Sequence, residues 1–454
     1  MSKIIKIHEK LATINFYSFQ QEYELYRKAF LESNLGEIYQ SIPWKALVKS
    51  FGIKDNRKGR KSLFSSEGKL SLMFLKAYTG VSDRLLIEQL NANIDYQLFC
   101  GVLLSPEDRL SDYKIVSKIR TMLGKKINIR KSQQILAEAW KPYMVDTHAM
   151  LSDATCYESE LRYPTNVKLL WESVDWTYNQ LKLLCKGLRK RMPRCKYPEQ
   201  KEKYFTYQRK RKKQRKETIK RTRSLLYLLD KLIDLLDQTE QANQNRLVLP
   251  EKYYAKVKTV KQVLRQQKQM FETRKSIPGR IVSISKSYVR PIVRGKEVKK
   301  VEFGAKVNMI QVDGINFIEH ISFDPFNEGR RLISSIWLSQ HLFGKLTHIS
   351  ADKIYATNNN RKYCTRRQIT TNFVRKGIPG KYESQRRTIS KELNKERASR
   401  MEGSFGTEKQ HYSLQKIKAR TKENEILWIF FGVHTANAVR MARKIKPLSV
   451  YKVA

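Results

Sequence analysis

The feature that most constrains the fold is a short apolar run with an aspartate at its centre. Residues 149–157 read AMLSDATCY and lie between His148 and the Tyr163-Pro164 pair. A mostly apolar run of this length predicts a central strand that is buried on both faces. A carboxylate inside such a strand costs free energy unless it is paired or binds a metal ion. Asp153 is therefore a candidate functional residue.

The later part of the chain supplies partners for this strand. A Val- and Ile-rich stretch contains Asp313-Gly314, a dipeptide typical of two-residue hairpin turns. A helix is predicted over residues 328–343, a strand over 346–351 and a last strand within 369–375. An antiparallel hairpin, a crossover helix and a returning parallel strand together predict an α/β fold with a mixed sheet.

A second aspartate, Asp352, directly follows the strand predicted over 346–351. Chemistry in α/β sheets concentrates at the carboxyl ends of strands, and in this strand order Asp352 can lie beside Asp153. Two neighbouring carboxylates repel each other, and a divalent cation removes that repulsion. Oxygen ligands favour Mg²⁺ or Mn²⁺ over zinc.

A third carboxylate comes from residues 397–414, RASRMEGSFGTEKQHYSL, which are predicted to be helical. Glu402 and Lys409 are seven residues apart and therefore project from the same helical face. Gly403 and Gly406 leave that helix open to close approach by a bulky group. A metal-binding carboxylate, a lysine for phosphate and a cleared flank indicate phosphoryl transfer, with two metal ions shared by three acids. A solvated helix with ordinary surface charges is the alternative.

The charge of the chain points to a polyanionic partner. Lys and Arg total 90 against 43 Asp and Glu, a net charge of +47. Nucleic acid is the favoured partner over a membrane, because no run approaches the roughly 18 apolar residues of a spanning helix. Five cysteines without CxxC spacing argue against a disulfide framework and a structural zinc site. Together with the absence of a secretory signal, they lead us to expect a cytoplasmic, nucleoid-associated protein.

Two further regions are predicted to be helical. Residues 1–145 contain short amphipathic helices, one of them capped by Ser82, and suit a DNA-binding domain or a plain helical scaffold. Residues 166–279 contain the densest basic run, 208–223, and then Leu225, Leu229, Leu232 and Leu236 at coiled-coil spacing. We expect this basic helical insertion to contact DNA phosphates; a solvated arm that packs on itself or on a second subunit is the alternative.

Three segments resemble the signatures of bacterial insertion-sequence transposases of the DDE class. They are SDATCYESELRYPT with Asp153, SADKIYATNNN with Asp352, and RMEGSFGTEKQHYSL with Glu402 and Lys409. Residues 290–307 and 71–90 are similar to the same group, the latter to its helical N-terminal domain. The resemblance covers roughly residues 45–440 and becomes specific because three acids occur in order, each with its own flanking motif.

The resemblance implies an α/β, RNase H-like mixed-sheet core formed by residues 146–165 and 280–454. The core would follow a helical N-terminal domain, and the long basic insertion would come after its first strand. The implied activity is metal-dependent hydrolysis at transposon ends, followed by attack of the freed 3′-hydroxyl on target DNA. It implies Asp153, Asp352 and Glu402 as ligands of two Mg²⁺ or Mn²⁺ ions. The implied partner is double-stranded DNA, as terminal inverted repeats and as target, bound by a homodimer.

The DNA contacts follow the resemblance with one departure. Relatives often carry an arginine four positions before the glutamate, where this chain has Ala398, and Arg397 and Arg400 are the candidates to replace it. Lys409 is the expected DNA contact near the active site, and Tyr412 the expected stacking residue. Further contacts are expected from basic residues near the predicted strands, namely Arg290, Arg294, Lys296 and Lys353.

Two other functions fit the same sequence. One is a catalytically silent or domesticated DNA-binding protein, and the other is an RNase H-like nuclease without strand transfer. The intact set of three acids argues against a silent protein. The insertion and the helical N-terminal region favour a protein that holds specific DNA ends over a simple nuclease. Terminal inverted repeats beside the gene would support transposition.

Overall fold

The computed structural model describes residues 19–55, 62–104, 107, 109–243, 246–293, 301–378 and 380–450. The chain divides into two compact units. A helical unit comprises Met1–Val145 and His434–Ala454, and a sheet unit comprises Asp146–Val433.

The helical unit is built from short helices around an apolar core. Ser82 caps the helix Asp83–Ala92 as predicted, because its Oγ accepts a hydrogen bond from the Leu85 N–H. Trp140 is fully buried, and its indole N–H donates to the Ser41 carbonyl at 2.7 Å. The helices are α1 (Phe19–Glu32), α2 (Asn34–Gln40), α3 (Trp44–Ser50), α4 (Ser66–Thr79), α5 (Asp83–Ala92), α6 (Ile94–Phe99), α7 (Lys114–Gly124) and α8 (Ile129–Trp140).

The sheet unit begins with the predicted buried strand, β1 (Ala149–Ser159), which is followed by four helices. These are α9 (Asn166–Gly187), α10 (Tyr197–Arg209), α11 (Arg215–Gln241) and α12 (Glu251–Thr273). Leu225, Leu229, Leu232 and Leu236 of α11 are at most 1 % exposed and pack in a core formed by these helices. The leucine seam is therefore used within the subunit.

The remaining strands assemble around β1 into a mixed sheet. They are β2 (Pro291–Val293), β3 (Val301–Val312), β4 (Ile315–Ser322), β5 (His348–Ala351), β6 (Thr370–Thr371) and β7 (Lys416–Ile417). The order in the described residues is β2-β3-β1-β5-β6, with β4 also on β3 and β7 also on β1. Strand β1 is antiparallel to β3 and parallel to β5. The Asp313-Gly314 turn joins β3 to β4 with positive φ at both residues, as predicted.

Helices complete the sheet unit. They are α13 (Leu332–Phe343), α14 (Asn358–Arg366), α15 (Glu383–Glu396), α16 (Glu402–His411) and α17 (Lys422–Val450), the last of which contributes residues to both units. The helix predicted from residue 328 begins as a 3-10 turn over Glu328–Arg330. No helix among the described residues has the length and apolar character needed to cross a membrane.

The strand predicted within residues 369–375 was too long, since β6 contains only Thr370–Thr371. Asn372 explains where it stops. The Asn372 side-chain amide accepts from the Ala351 N–H at 3.1 Å and donates to the Ala351 carbonyl at 2.8 Å. The Asn372 side chain thus forms the two hydrogen bonds to Ala351 that the backbone of a longer β6 strand would form.

Candidate active site

Asp153 and Asp352 follow the last paired residues of two neighbouring parallel strands. The parallel pairing of β1 with β5 ends at Ser152 opposite Ala351, and each aspartate is the next residue. Asp153 accepts a hydrogen bond from the Ala154 N–H at 2.8 Å. Asp352 begins a 3-10 turn and accepts from the Lys353 N–H at 2.7 Å. The expected approach of the two carboxylates follows from this register.

Burial changes the acidity of Asp153. Its pKa is raised to about 6, mainly by desolvation and to a smaller extent by the nearby charges of Glu328 and Asp352. The Ala154 N–H and the Arg397 guanidinium act in the opposite direction. The ionised Asp153 carboxylate is therefore poorly solvated, and a bound cation would stabilise it.

Glu402 is brought to the same place by Arg397. Arg397 Nη1 lies 3.1 Å from Asp153 Oδ2 and 3.8 Å from Glu402 Oε1. The Arg397 side chain is largely buried, whereas Glu402 is 63 % exposed. One guanidinium thus bridges a carboxylate on the central strand and a carboxylate on the helix.

A π-helical turn makes this bridge possible. Residues Arg397–Met401 form a single π turn between α15 and α16, where the sequence predicted a regular helix. A π turn bonds residues five apart, one more than an α-helix. Arg397, five positions before Glu402, therefore meets it, although in a regular α-helix the residue at position 398 would be the better placed.

The opposite face of α16 is fixed by a buried polar cluster that the sequence analysis missed. Glu408 is fully buried and accepts hydrogen bonds from the Tyr157 hydroxyl and from Asn316 Nδ2. Ser404 Oγ accepts from Gln311 and Asn316. Six residues after Glu402 corresponds to a rotation of about 120° around the helix, so Glu408 lies on a different face from Glu402. The cluster holds α16 against β1, β3 and β4.

The face of α16 that carries Gly403 and Gly406 is open. A Cβ atom placed on Gly403 or on Gly406 would meet nothing within 4 Å. Lys409 lies on this helix with its Nζ 5.9 Å from the Tyr157 ring centroid. The glycines therefore leave room beside Glu402, as the sequence predicted.

The donor set suits a divalent cation, but its geometry here is that of an ion-pair cluster. Carboxylate oxygens are the ligands that Mg²⁺ and Mn²⁺ prefer. Among the described residues, no group of three or more His, Cys, Asp and Glu side chains is arranged to hold a metal ion. Arg397 supplies positive charge between Asp153 and Glu402 instead.

The other residues predicted to bind DNA lie in varied surroundings. Arg400 pairs with Glu396 on the exposed side of the helix, and Lys353 is exposed beside Asp352. Tyr412 is half-buried at the end of α16. Arg290 turns inward, where Nη1 donates to the carbonyls of Ser287 and Val289. Arg294 and Lys296 lie outside the described residues.

Two family models match the chain. A model described as Transposase domain (DUF772) matches residues 24–122, and a model described as Transposase DDE domain matches residues 349–437. The second match contains Asp352, Glu402 and Lys409. No curated protein and no solved structure matches the chain. The two family matches confirm the resemblance indicated by the sequence motifs: the chain carries the domains of an insertion-sequence DDE transposase.

Proposed function

We propose that this transposase cuts DNA at transposon ends and joins the freed 3′-hydroxyl to target DNA by metal-dependent phosphoryl transfer. The observation that carries the proposal is the register of β1 with β5, which ends one residue before Asp153 and Asp352, together with the Arg397 side chain, which contacts Asp153 and Glu402. Three carboxylates from these positions are the donor set that such chemistry requires.

The sheet supports an RNase H-like core for this reaction. Its central strand β1 is antiparallel to β3 on one side and parallel to β5 on the other, and β6 continues the parallel side. The first carboxylate lies on this central strand and the second at the end of its parallel neighbour. In the proposed domain division, residues 1–145 bind DNA, 146–165 and 280–454 form the core, and 166–279 form the insertion.

Asp153, Asp352 and Glu402 are the residues that would hold two Mg²⁺ or Mn²⁺ ions. When bound, such ions activate the attacking oxygen and stabilise the leaving oxygen. Burial of Asp153 favours a cation at its side, because the carboxylate is otherwise poorly solvated. Arg397 keeps Asp153 and Glu402 together, and its guanidinium is also suited to a phosphate oxygen.

The DNA would approach along the open face of α16. Gly403 and Gly406 leave space there, and Lys409 and Arg400 supply positive charge. Lys353 directly follows Asp352 and Tyr412 lies at the end of α16, and we retain both as DNA contacts together with Arg294 and Lys296. Arg290 is not retained, because its guanidinium is turned inward. A transposon has two ends and each needs an active site, so we infer a homodimer on DNA.

The test is a joining reaction with the purified chain. A labelled duplex that carries the terminal inverted repeat is incubated with supercoiled plasmid and Mg²⁺, with Asp153→Asn, Asp352→Asn and Glu402→Gln as controls. We expect joined product from the wild type and a loss of at least about 1,000-fold in each variant, because each removes a metal ligand. If Asp153→Asn joins as well as the wild type, the assignment of the three acids is wrong.

The same assay separates the alternatives. Cleavage of the end without joined product would indicate a nuclease. Binding of the end with neither cleavage nor joining would indicate a silent DNA-binding protein. Binding is measured in EDTA, so that it is independent of the chemistry.

A further inference from the structure

A basic pocket lies in the sheet unit beside the first turns of α15. Its volume is about 360 Å³, and it is formed by the segment after β6 together with one face of α15. Four cationic side chains and one carboxylate are among the residues that line it: Arg375, Arg386, Arg387, Lys391 and Glu383. The pocket therefore carries three positive charges in excess.

Glu383 arranges the arginines of this pocket. Arg386 donates to its carboxylate with Nη2 at 2.7 Å and Nε at 2.9 Å, and Arg387 Nε donates at 3.3 Å. The hydrogen bond from Arg386 is the main reason why the pKa of Glu383 is lowered to about 2. Glu383 is thus a permanent counter-ion, and the guanidinium groups are held in place before any ligand arrives.

A purely structural cluster would not need so many cations. Arg386 joins the two parts of the pocket, because it bonds both Glu383 and the Phe373 carbonyl, the latter at 3.0 Å, and Ser390 Oγ adds a hydrogen bond to the Asn372 carbonyl. Arg387 and Arg375 remain 68 % and 48 % exposed. Such exposed ion pairs contribute little stability. Their charge is therefore available to an anion from solution.

The position of the pocket indicates which anion. Helix α15 continues through the π turn into α16 without a break. Sixteen residues separate Arg386 from Glu402, which corresponds to about 24 Å at the α-helical rise. The same length covers about seven base pairs of duplex DNA. Held guanidinium groups match phosphate oxygens and would read no sequence.

We propose that the pocket formed by Arg375, Arg386, Arg387 and Lys391 binds a backbone phosphate of double-stranded DNA about seven base pairs from the reacting phosphate. The inference rests on the proposed function, since that function places DNA at Glu402. The pocket anchors the duplex along the α15–α16 axis and so sets its direction over the carboxylates.

The test uses the full chain with Arg387→Gln and Lys391→Gln. Arg386 is left intact because it also bonds the Phe373 carbonyl. Lys345→Gln is the matched control, an exposed lysine that precedes β5 at the end away from Asp352. Affinity for a duplex end is measured in EDTA at several salt concentrations. The pocket variants should reduce the slope of log affinity against log salt by up to about 0.9, the value for one phosphate contact, and the control should not.

Single methylphosphonates placed three to ten base pairs from the reacting phosphate locate the contact. In the wild type, the neutral phosphate should weaken binding several-fold near position seven, and Arg387→Gln should lose that sensitivity. Slopes and methylphosphonate penalties equal to those of the wild type would overturn the inference. The inference would also be overturned if the pocket variants kept the wild-type slope but no longer bound a poly-glutamate peptide. That result would indicate an acidic protein partner.

The two proposals can fail separately. Wild-type joining together with unchanged slopes would refute the pocket alone. Reduced slopes together with no joining by the wild type would support the pocket as a DNA contact and refute the strand-transfer proposal alone.

Discussion

The ionised side chain of Asp153, a candidate metal ligand, lowers the stability of the folded protein. It is an acid on the central strand, its side chain is only 16 % exposed, and its pKa is raised to about 6 by burial. An ordinary aspartate in an unfolded chain has a pKa near 4. Since the folded pKa is the higher of the two, the ionised form of Asp153 destabilises the folded state.

We predict that Asp153→Asn stabilises the metal-free protein in a pH-dependent way. As the pH rises from about 4 to 6, the unfolded chain loses this proton first, so wild-type stability falls across that window and then levels off. Asparagine removes the effect, with an expected gain of roughly 1–3 kcal/mol at pH 7 and about a third of that at pH 4.5. Urea unfolding in EDTA at both pH values measures the difference. An equal gain at both would contradict the burial argument.

Arg397 and Arg400 should differ sharply, although the sequence offered both as phosphate contacts. Arg397 bridges two carboxylates in a largely buried position, whereas Arg400 forms an exposed pair with Glu396. We predict that Arg397→Gln slows joining by about 100-fold, the usual cost of removing a placed charge from a reaction centre. Arg400→Gln should change it by less than about threefold.

Single-turnover joining rates at saturating Mg²⁺ test this difference. Arg397→Lys is added as the variant that keeps the positive charge but loses the planar guanidinium with its several donors. Partial recovery in Arg397→Lys would separate the charge from the two-point contact. Equal losses in the glutamine variants of Arg397 and Arg400 would show that the bridge has no catalytic role.

For single residues, the sequence predicted where the acidic side chains lie better than it predicted which residues contact them. The meeting of Asp153 and Asp352 could be predicted because strand polarity fixes it. The position of Arg397 could not, because nothing in the residues 397–401 distinguishes a π turn from an α-helical one. The role of Glu408 depends on Tyr157 and Asn316, which lie far away in the sequence.

Among the elements, the π turn has the clearest consequence. It contains one more residue than an α-helical turn would need, and that residue allows an arginine at position 397 to reach Glu402. We predict that deletion of Ala398 closes the turn into an α-helix and moves Arg397 to four positions before the glutamate. The deletion variant should fold and should join within about tenfold of the wild type, because the arginine stays on the same face.

Insertion of a second alanine after Ala398 is the matched control. It rotates Arg397 away from Glu402 by about 100° and should resemble Arg397→Gln. Circular dichroism and joining rates check both variants. A deletion that abolishes joining while the insertion preserves it would show that the π turn has a different role.

The elements themselves could be predicted to different extents. The hairpin and β1 have strong local signals, an Asp-Gly turn and an apolar run, and both agree with the structure. Strand β6 was predicted too long because the amide of Asn372, a tertiary contact, replaces the backbone ladder. The leucine seam of α11 was correctly predicted as a packing face, but spacing alone could not tell which helices would cover it.

Over the whole molecule, the net charge of +47 has to be distributed over surfaces that a polyanion can reach. The basic run that opens α11 is one such surface, with Lys212, Arg215 and Lys216 exposed. The leucines of α11 pack inside the subunit. The surface of the helical insertion that remains available to a partner is therefore its charged outer face.

We predict that glutamine at Lys212, Arg215 and Lys216 lowers DNA affinity without loss of stability. If all three contact phosphates, the slope of log affinity against log salt should fall by about 2–3. The matched control replaces Lys252, Lys258 and Arg265, three exposed cations of α12, and removes the same charge. A smaller change in the control would assign the DNA contact to the α11 run, since net charge is equal in both variants. Equal changes would instead mean that the arm attracts DNA only through its total charge, and the insertion would then have no defined DNA-binding face.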